Sequence, residues 1–147
     1  MTGLDAYRFS RTTYVRKLEI FAQIYFHAPS EHTVWDEATQ KYKQYDLCIH
    51  TVNGLTSDNH DNGRAYAVLG YLFEEDPYAP DMPWLTKMLA DLPTEDGTVT
   101  TEFDWESFSE FVPVRSRFWH YQGGLTTPGC TEAVNWHINQ HILHINT

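Results

Sequence analysis

The chain has 147 residues, 41% hydrophobic, 15% aromatic and 20% charged, with a formal net charge of −10. That length and apolar share are enough for one domain, 1–147, with a real core, and the aromatics suit pleated sheet. So acidic a surface repels phosphate backbones and anionic lipid, which argues against nucleic-acid and membrane partners, and no apolar run reaches the length of a membrane span.

The first stretch, MTGLDAYRFSRTTYVRK, lacks the apolar core of a secretory signal, and nothing in it assigns a compartment. Residues 14–27 hold a long strand candidate. In it Gln23, Tyr25 and His27 alternate with Ala22, Ile24 and Phe26, which is period-two patterning. Pro29 ends the ladder because it has no N–H to donate. Residues 36–44 are polar and read as a loop or a hairpin connection. Residues 45–52 form a second strand, with Asp46, Cys48, His50 and Val52 on one face. Residues 53–64 are a loop in which Asp58, His60, Asn62 and Gly63 mimic the start of a calcium loop; Leu69 stands where that loop needs a bidentate Glu, so the reading is set aside.

AYAVLGYLF, residues 65–73, is apolar throughout and reads as a central strand. Residues 84–92 read as a helix capped by Asp81, with Leu85, Met88, Leu89 and Leu92 as its core stripe. Residues 104–111 read as a short helical turn. Residues 117–122 are a fourth strand, broken by Gly123 and Gly124, and 125–131 a loop. Residues 133–138 and 142–145 complete six strands. There is no internal repeat.

Two of these strands can aim Tyr25, His27, Cys48 and His50 into one cleft, since same-face neighbours on a strand lie about 6.5 Å apart. Two histidines fall short of the three or four ligands a zinc site needs, so taken alone they read as ordinary core or surface residues. The two cysteines, Cys48 and Cys130, fit no small disulfide framework. His137, His141 and His144 do not share a face and read as ordinary polar positions, and no partner can be named for His60 or His120.

Four blocks, QIYFHAPSEHTV, YDLCIHTV, AVLGYLFEE and above all YQGGLTTPGCTEAVNWHI, resemble the α-class carbonic anhydrases in residues, order and spacing, from about Phe21 onward. The resemblance implies an α+β, mainly β fold: a twisted, mostly antiparallel central sheet with short peripheral helices. It also implies that the family's complete domain extends before and after the matching segment, so the fold is expected to be truncated at both ends. The resemblance implies that the family's N-terminal strands, its usual histidine proton shuttle and its final strands are expected to have no counterpart in the matching segment. The family's zinc is held by three histidines, and the resemblance places two of them at His27 and His50. The third position is occupied by Tyr25. Gln23 matches a residue that orients a ligand histidine, and Cys48 stands where the family has a Glu behind the ligand at His50. Glu31 and Thr126 match a gate pair that aims the attacking oxygen at carbon dioxide. His32 and Tyr121 match a buried hydrogen-bonding group behind the site. Val52, Val68, Leu125 and Trp136 match the apolar substrate wall, and Thr127 follows the gate threonine as in the family. Gly129 stands where many relatives have Pro, which implies a looser loop. Cys130 matches a cysteine that pairs in secreted relatives with one absent here, which implies a free thiol.

Three alternatives stand at the altered position. Tyr25 can ligate as a phenolate, whose charge would make bound water less acidic; Cys48 can substitute, although it is short and set behind the site; or zinc is weakly held or absent. The expectation is therefore a weakly active or inactive pseudoenzyme serving as a binding or structural subunit of a larger assembly, with other protein chains covering open sheet edges. The alternative is an active zinc lyase interconverting carbon dioxide and bicarbonate.

Overall fold

The computed structural model describes residues 20–54, 65–91, 104–111 and 116–146. Residues 14–19 of the first expected strand, the calcium-like spacing with His60, and Leu92 of the helix stripe lie outside the described residues. The described elements run in the order β1 (Ile20–His27), β2 (Thr33–Asp36), β3 (Lys41–Gln44), β4 (Leu47–Gly54), β5 (Tyr66–Glu75), α1 (Pro83–Ala90), α2 (Trp105–Phe111), β6 (Phe118–Gly123), β7 (Val134–Asn139) and β8 (Leu143–Ile145). All six expected strands are present. Residues 36–44 resolve as the hairpin rather than the loop, joining β2 to β3.

The main sheet has the order β1-β4-β5-β7-β6, with β8 also paired to β5. β1–β4, β4–β5 and β6–β7 are antiparallel, while β5 meets β7 and β8 in parallel. This is the expected mostly antiparallel, twisted sheet with short helices at its periphery, and β5 is its centre.

The sheet is buried on both faces. Cys48, Val52, Val68, Leu72, Trp136 and Ile138 pack on one side. On the other, Ile49, Tyr71 and Phe73 meet Met82, Trp84 and Leu85 around the start of α1 and Phe108 of α2. Phe108 sits edge-on to both Tyr71 and Trp84, at 5.4 and 5.1 Å between ring centroids. Cover on both faces is why β5 reads as a continuous apolar run rather than an alternating one.

The start of α1 differs from the expected Asp81 cap. The Met82 carbonyl accepts from the amides of Leu85 (3.0 Å) and Thr86 (2.9 Å), and Pro83 takes the first helical position. Proline suits that position because its missing N–H has no helical acceptor there. Asp104 caps α2, accepting from the Ser107 amide at 3.0 Å and its hydroxyl at 2.7 Å.

Candidate functional site

The site is built where β1 ends. A register shift between Phe21 and Gln23 sets the rest of β1 against β4, so that Tyr25 lies opposite His50 and His27 opposite Cys48. Beyond Pro29 the chain turns a corner around Ser30, which is fully buried. The Ser30 hydroxyl donates to the His32 carbonyl at 2.7 Å and accepts from the Tyr45 amide at 2.9 Å. The Ser30 amide donates to the Tyr45 carbonyl at 2.9 Å. This knot turns Glu31 and His32 back onto β4. On the far side of His50, Gly70 of β5 leaves room for the ring: a Cβ there would lie 2.6 Å from Ile138 Cδ1 and 3.5 Å from His50 Cδ2.

His27 and His50 approach with ring centroids 4.9 Å apart. The Glu31 carboxylate lies beside both, with Oε1 3.5 Å from His27 Nδ1 and Oε2 3.8 Å from His50 Nδ1. Each of these three residues offers a donor atom within 4.8 Å of the other two. Glu31, expected to pair with Thr126, makes no hydrogen bond to it among the described residues; its carboxylate is turned to the imidazoles instead. Nor does Gln23 orient a histidine. Its side-chain oxygen accepts from the Tyr25 hydroxyl two residues along the same strand face.

Behind the rings lies a buried polar chain. His50 Nε2 is 3.3 Å from His32 Nδ1, and His32 Nε2 is 2.8 Å from the Tyr121 hydroxyl. Cys48 Sγ lies 3.5 Å from His50 Nε2 and accepts from the Glu31 amide at 3.4 Å. Trp136 covers the chain, its ring 4.9 Å from His50 and 5.0 Å from His32, and stacks on Tyr121 with planes 4° apart. Burial, with the His32 and His27 rings adding to it, holds His50 down at about 3. Burial, then His27, holds His32 down at about 4. Burial also pushes the Cys48 thiol up to about 11 and raises Tyr121. All four groups are therefore neutral near neutral pH. The chain can be polarised two ways. Only one, in which His50 donates from Nε2 to His32 Nδ1 and His32 donates to the Tyr121 oxygen, leaves a lone pair on His50 Nδ1 facing Glu31. His32 thus offers the acceptor that Cys48 supplies only feebly.

In front of the rings is a cavity of ≈ 100 Å³. Val52, Val68, Leu125, Thr126, Thr127 and Trp136 line it, together with Gln23, Tyr25 and His50. Tyr66 lines it too, a residue the sequence reading passed over; it stands two before Val68 on the same face of β5, which was the available signal. The loop carrying Thr126 and Thr127 closes in a tight turn, with the Cys130 amide donating to the Thr127 carbonyl at 3.0 Å. Gly129 sits in that turn at φ 104°. It supplies a left-handed conformation after Pro128 that a Pro in its place could not adopt. Cys48 and Cys130 are both free thiols. Away from the cavity, His137 is not an ordinary surface position: it is half-buried and faces His120 across β6 and β7, with ring centroids 4.7 Å apart. No helix among the described residues is long and apolar enough to cross a membrane.

A family model described as eukaryotic-type carbonic anhydrase matches residues 10–147. A carbonic anhydrase of Klebsiella pneumoniae is 28% identical over 129 residues, which cover 87% of this chain and 46% of that protein. One of Nostoc sp. is 31% identical over 122 residues, covering 82% of this chain and 40% of that protein. The chain therefore spans less than half the length of these relatives. Among solved structures, the α-carbonic anhydrase of Photobacterium profundum superposes with a TM-score of 0.65 at 28% identity, over 86% of this chain and 52% of that one. A fungal α-carbonic anhydrase from Aspergillus oryzae also gives 0.65, at 29% identity, over 85% and 49% of the two chains.

Proposed function

The chain belongs to the eukaryotic-type (α) carbonic anhydrase family, and on that premise we propose that it is a degenerate member, which keeps the pocket and a weak zinc site but hydrates carbon dioxide poorly or not at all. The observation that carries this reading is Tyr25, a phenol in a ligand position whose hydroxyl is engaged by Gln23.

The remaining groups fit a zinc ion. Zinc accepts imidazole nitrogen and carboxylate oxygen, and His27 and His50 face one another with Glu31 beside them. His27 and His50 would hold the ion. When bound, zinc supplies an acidified water for attack on carbon dioxide.

The protein's own residues then decide the outcome. Val52, Val68, Leu125 and Trp136 offer carbon dioxide an apolar wall. Thr126 presents a hydroxyl to the cavity, but Glu31, turned to the imidazoles, does not take its proton. The threonine is left without the acceptor that would aim it. Losing one such orienting contact costs roughly 100- to 1,000-fold in rate. A pocket kept while its chemistry is disabled suits a binding role. The outer edges of β1 and β6, which carry no partner strand among the described residues, suit pairing with another protein chain. The intact apolar wall favours the second reading, an active enzyme interconverting carbon dioxide and bicarbonate.

Metal content and carbon dioxide hydration measured on one sample separate the two. The expected result is loosely held zinc with hydration at least about 100-fold below that of a three-histidine relative. One tightly held zinc per chain with full, inhibitor-sensitive hydration overturns the proposal.

A further inference from the structure

Glu31 stands too far from either imidazole to be hydrogen-bonded. Its separations of 3.5 Å from His27 Nδ1 and 3.8 Å from His50 Nδ1 exceed the usual range for such bonds. They approach the spacing of two ligands on one ion, about 3.4 Å for a tetrahedral zinc with bonds near 2.1 Å, and one ligand atom from each of the three residues lies within 4.8 Å of the other two, a set that a bound ion would draw closer. We infer that the Glu31 carboxylate is the third metal-binding group of this chain, giving a two-histidine, one-carboxylate centre for zinc or a similar divalent transition cation. The inference rests on the reading of a retained but altered metal site.

The competing donors are placed elsewhere. The Tyr25 hydroxyl is held by Gln23. Cys48 Sγ lies against His50 Nε2, whereas Glu31 lies against Nδ1, on the other side of the ring, so the thiol cannot join the same set through that imidazole. Glu31 is also fixed in position by its chain neighbours: its amide donates to Cys48, and Ser30 ties the corner to Tyr45. A carboxylate ligand would supply the third group that Tyr25 does not, and the Glu31 carboxylate is free for it, since it makes no hydrogen bond to Thr126 among the described residues.

The test uses the full chain and four proteins: wild type, Glu31→Gln, Tyr25→His and the double variant. Zinc affinity is read by competition with a chromophoric chelator, and the coordination sphere by the visible absorption of bound cobalt(II). Circular dichroism checks that each variant is folded. Glu31→Gln alone should weaken zinc by more than the roughly 10- to 100-fold typical of an outer partner, and should change the cobalt(II) bands. Tyr25→His supplies a third imidazole, so in that background Glu31→Gln should cost less than about 10-fold. Equal losses in both backgrounds would assign Glu31 a supporting role and overturn the inference, as would no loss in either. A wild-type chain that binds no zinc also overturns it, yet leaves the inactive reading standing. Full hydration by a centre that depends on Glu31 does the reverse, supporting the ligand assignment and refuting low activity.

Discussion

Cys48 sits at 0% exposure between the Glu31 amide and the His50 ring, where burial pushes its thiol up to about 11. Cys130 lies exposed at the end of the Thr127 turn, with φ at 42°. Reactivity follows the thiolate, so the two should separate cleanly. With Ellman's reagent near neutral pH, one thiol should react promptly and the second only after denaturant is added. Two equally fast thiols in the native protein would contradict the buried placement of Cys48. As a neutral thiol, Cys48 adds no charge behind His50, and His32 offers the stronger acceptor. Strand periodicity put Gln23, Tyr25 and His27 on one face whatever the rest of the fold does, and the resemblance of QIYFHAPSEHTV to the family made Tyr25 stand out at an expected ligand position. The direction of Glu31 was not legible in the sequence. It depends on a corner closed by Ser30 and Tyr45, fifteen residues apart along the chain, and no local pattern encodes that contact. The same holds for the His32–His50 contact, which joins the corner to a strand eighteen residues on.

The corner between β1 and β2 is small, but four hydrogen bonds converge on Ser30: two through its hydroxyl, one from its amide, and one from Gln44 Nε2 to its carbonyl at 2.7 Å. Ser30→Ala removes the hydroxyl and strands the buried Tyr45 amide. That should cost about 1–3 kcal/mol of stability, the usual penalty for an unsatisfied buried donor. Urea unfolding reads it as a lower midpoint with an unchanged slope. Zinc affinity should fall as well, since Glu31 and His32 hang from this corner. A variant as stable as wild type would mean that water replaces the hydroxyl. Among the larger elements, β5 declared itself through a dense apolar run, and β4 and β7 through alternation, Cys48, His50 and Val52 on one face of β4 and Val134, Trp136 and Ile138 on one face of β7. The β2–β3 hairpin was only half legible, because Lys41, Lys43 and Gln44 hide its alternation. Its order comes from cross-strand and tertiary partners, with Trp35 edge-on to Tyr42 at 5.1 Å and Lys43 bonded to Glu74 at 2.6 Å. The parallel pairing of β5 with β7 and β8 joins segments more than sixty residues apart, which a local pattern cannot show.

Two opposing effects act on the whole molecule as pH falls from neutral. The formal charge of −10 shrinks toward the isoelectric point near 5.1, which relieves self-repulsion. Buried neutral histidines work the other way. Burial, with His120 adding to it, holds His137 down at about 4 against an ordinary 6.5, and in the metal-free protein His32 and His50 shift in the same direction. Between pH 6.5 and about 4 the unfolded chain therefore binds more protons than the folded one at His137. Stability from such a group is complete above 6.5 and is lost as pH falls toward the folded value. Discounted for its partial exposure, His137 alone accounts for about 1–3 kcal/mol of that loss. Surface repulsion is screened over roughly 8 Å at physiological salt, so the histidines should prevail. The melting temperature of metal-free protein should fall steadily through this range instead of peaking near the isoelectric point. His137→Phe should flatten the fall, because it removes the titrating ring while keeping an aromatic in a half-buried place beside His120. His120→Gln should flatten it less, since it takes away only the smaller of the two causes that lower His137. A stability maximum near pH 5.1 that neither variant moves would show that net charge outweighs the buried rings.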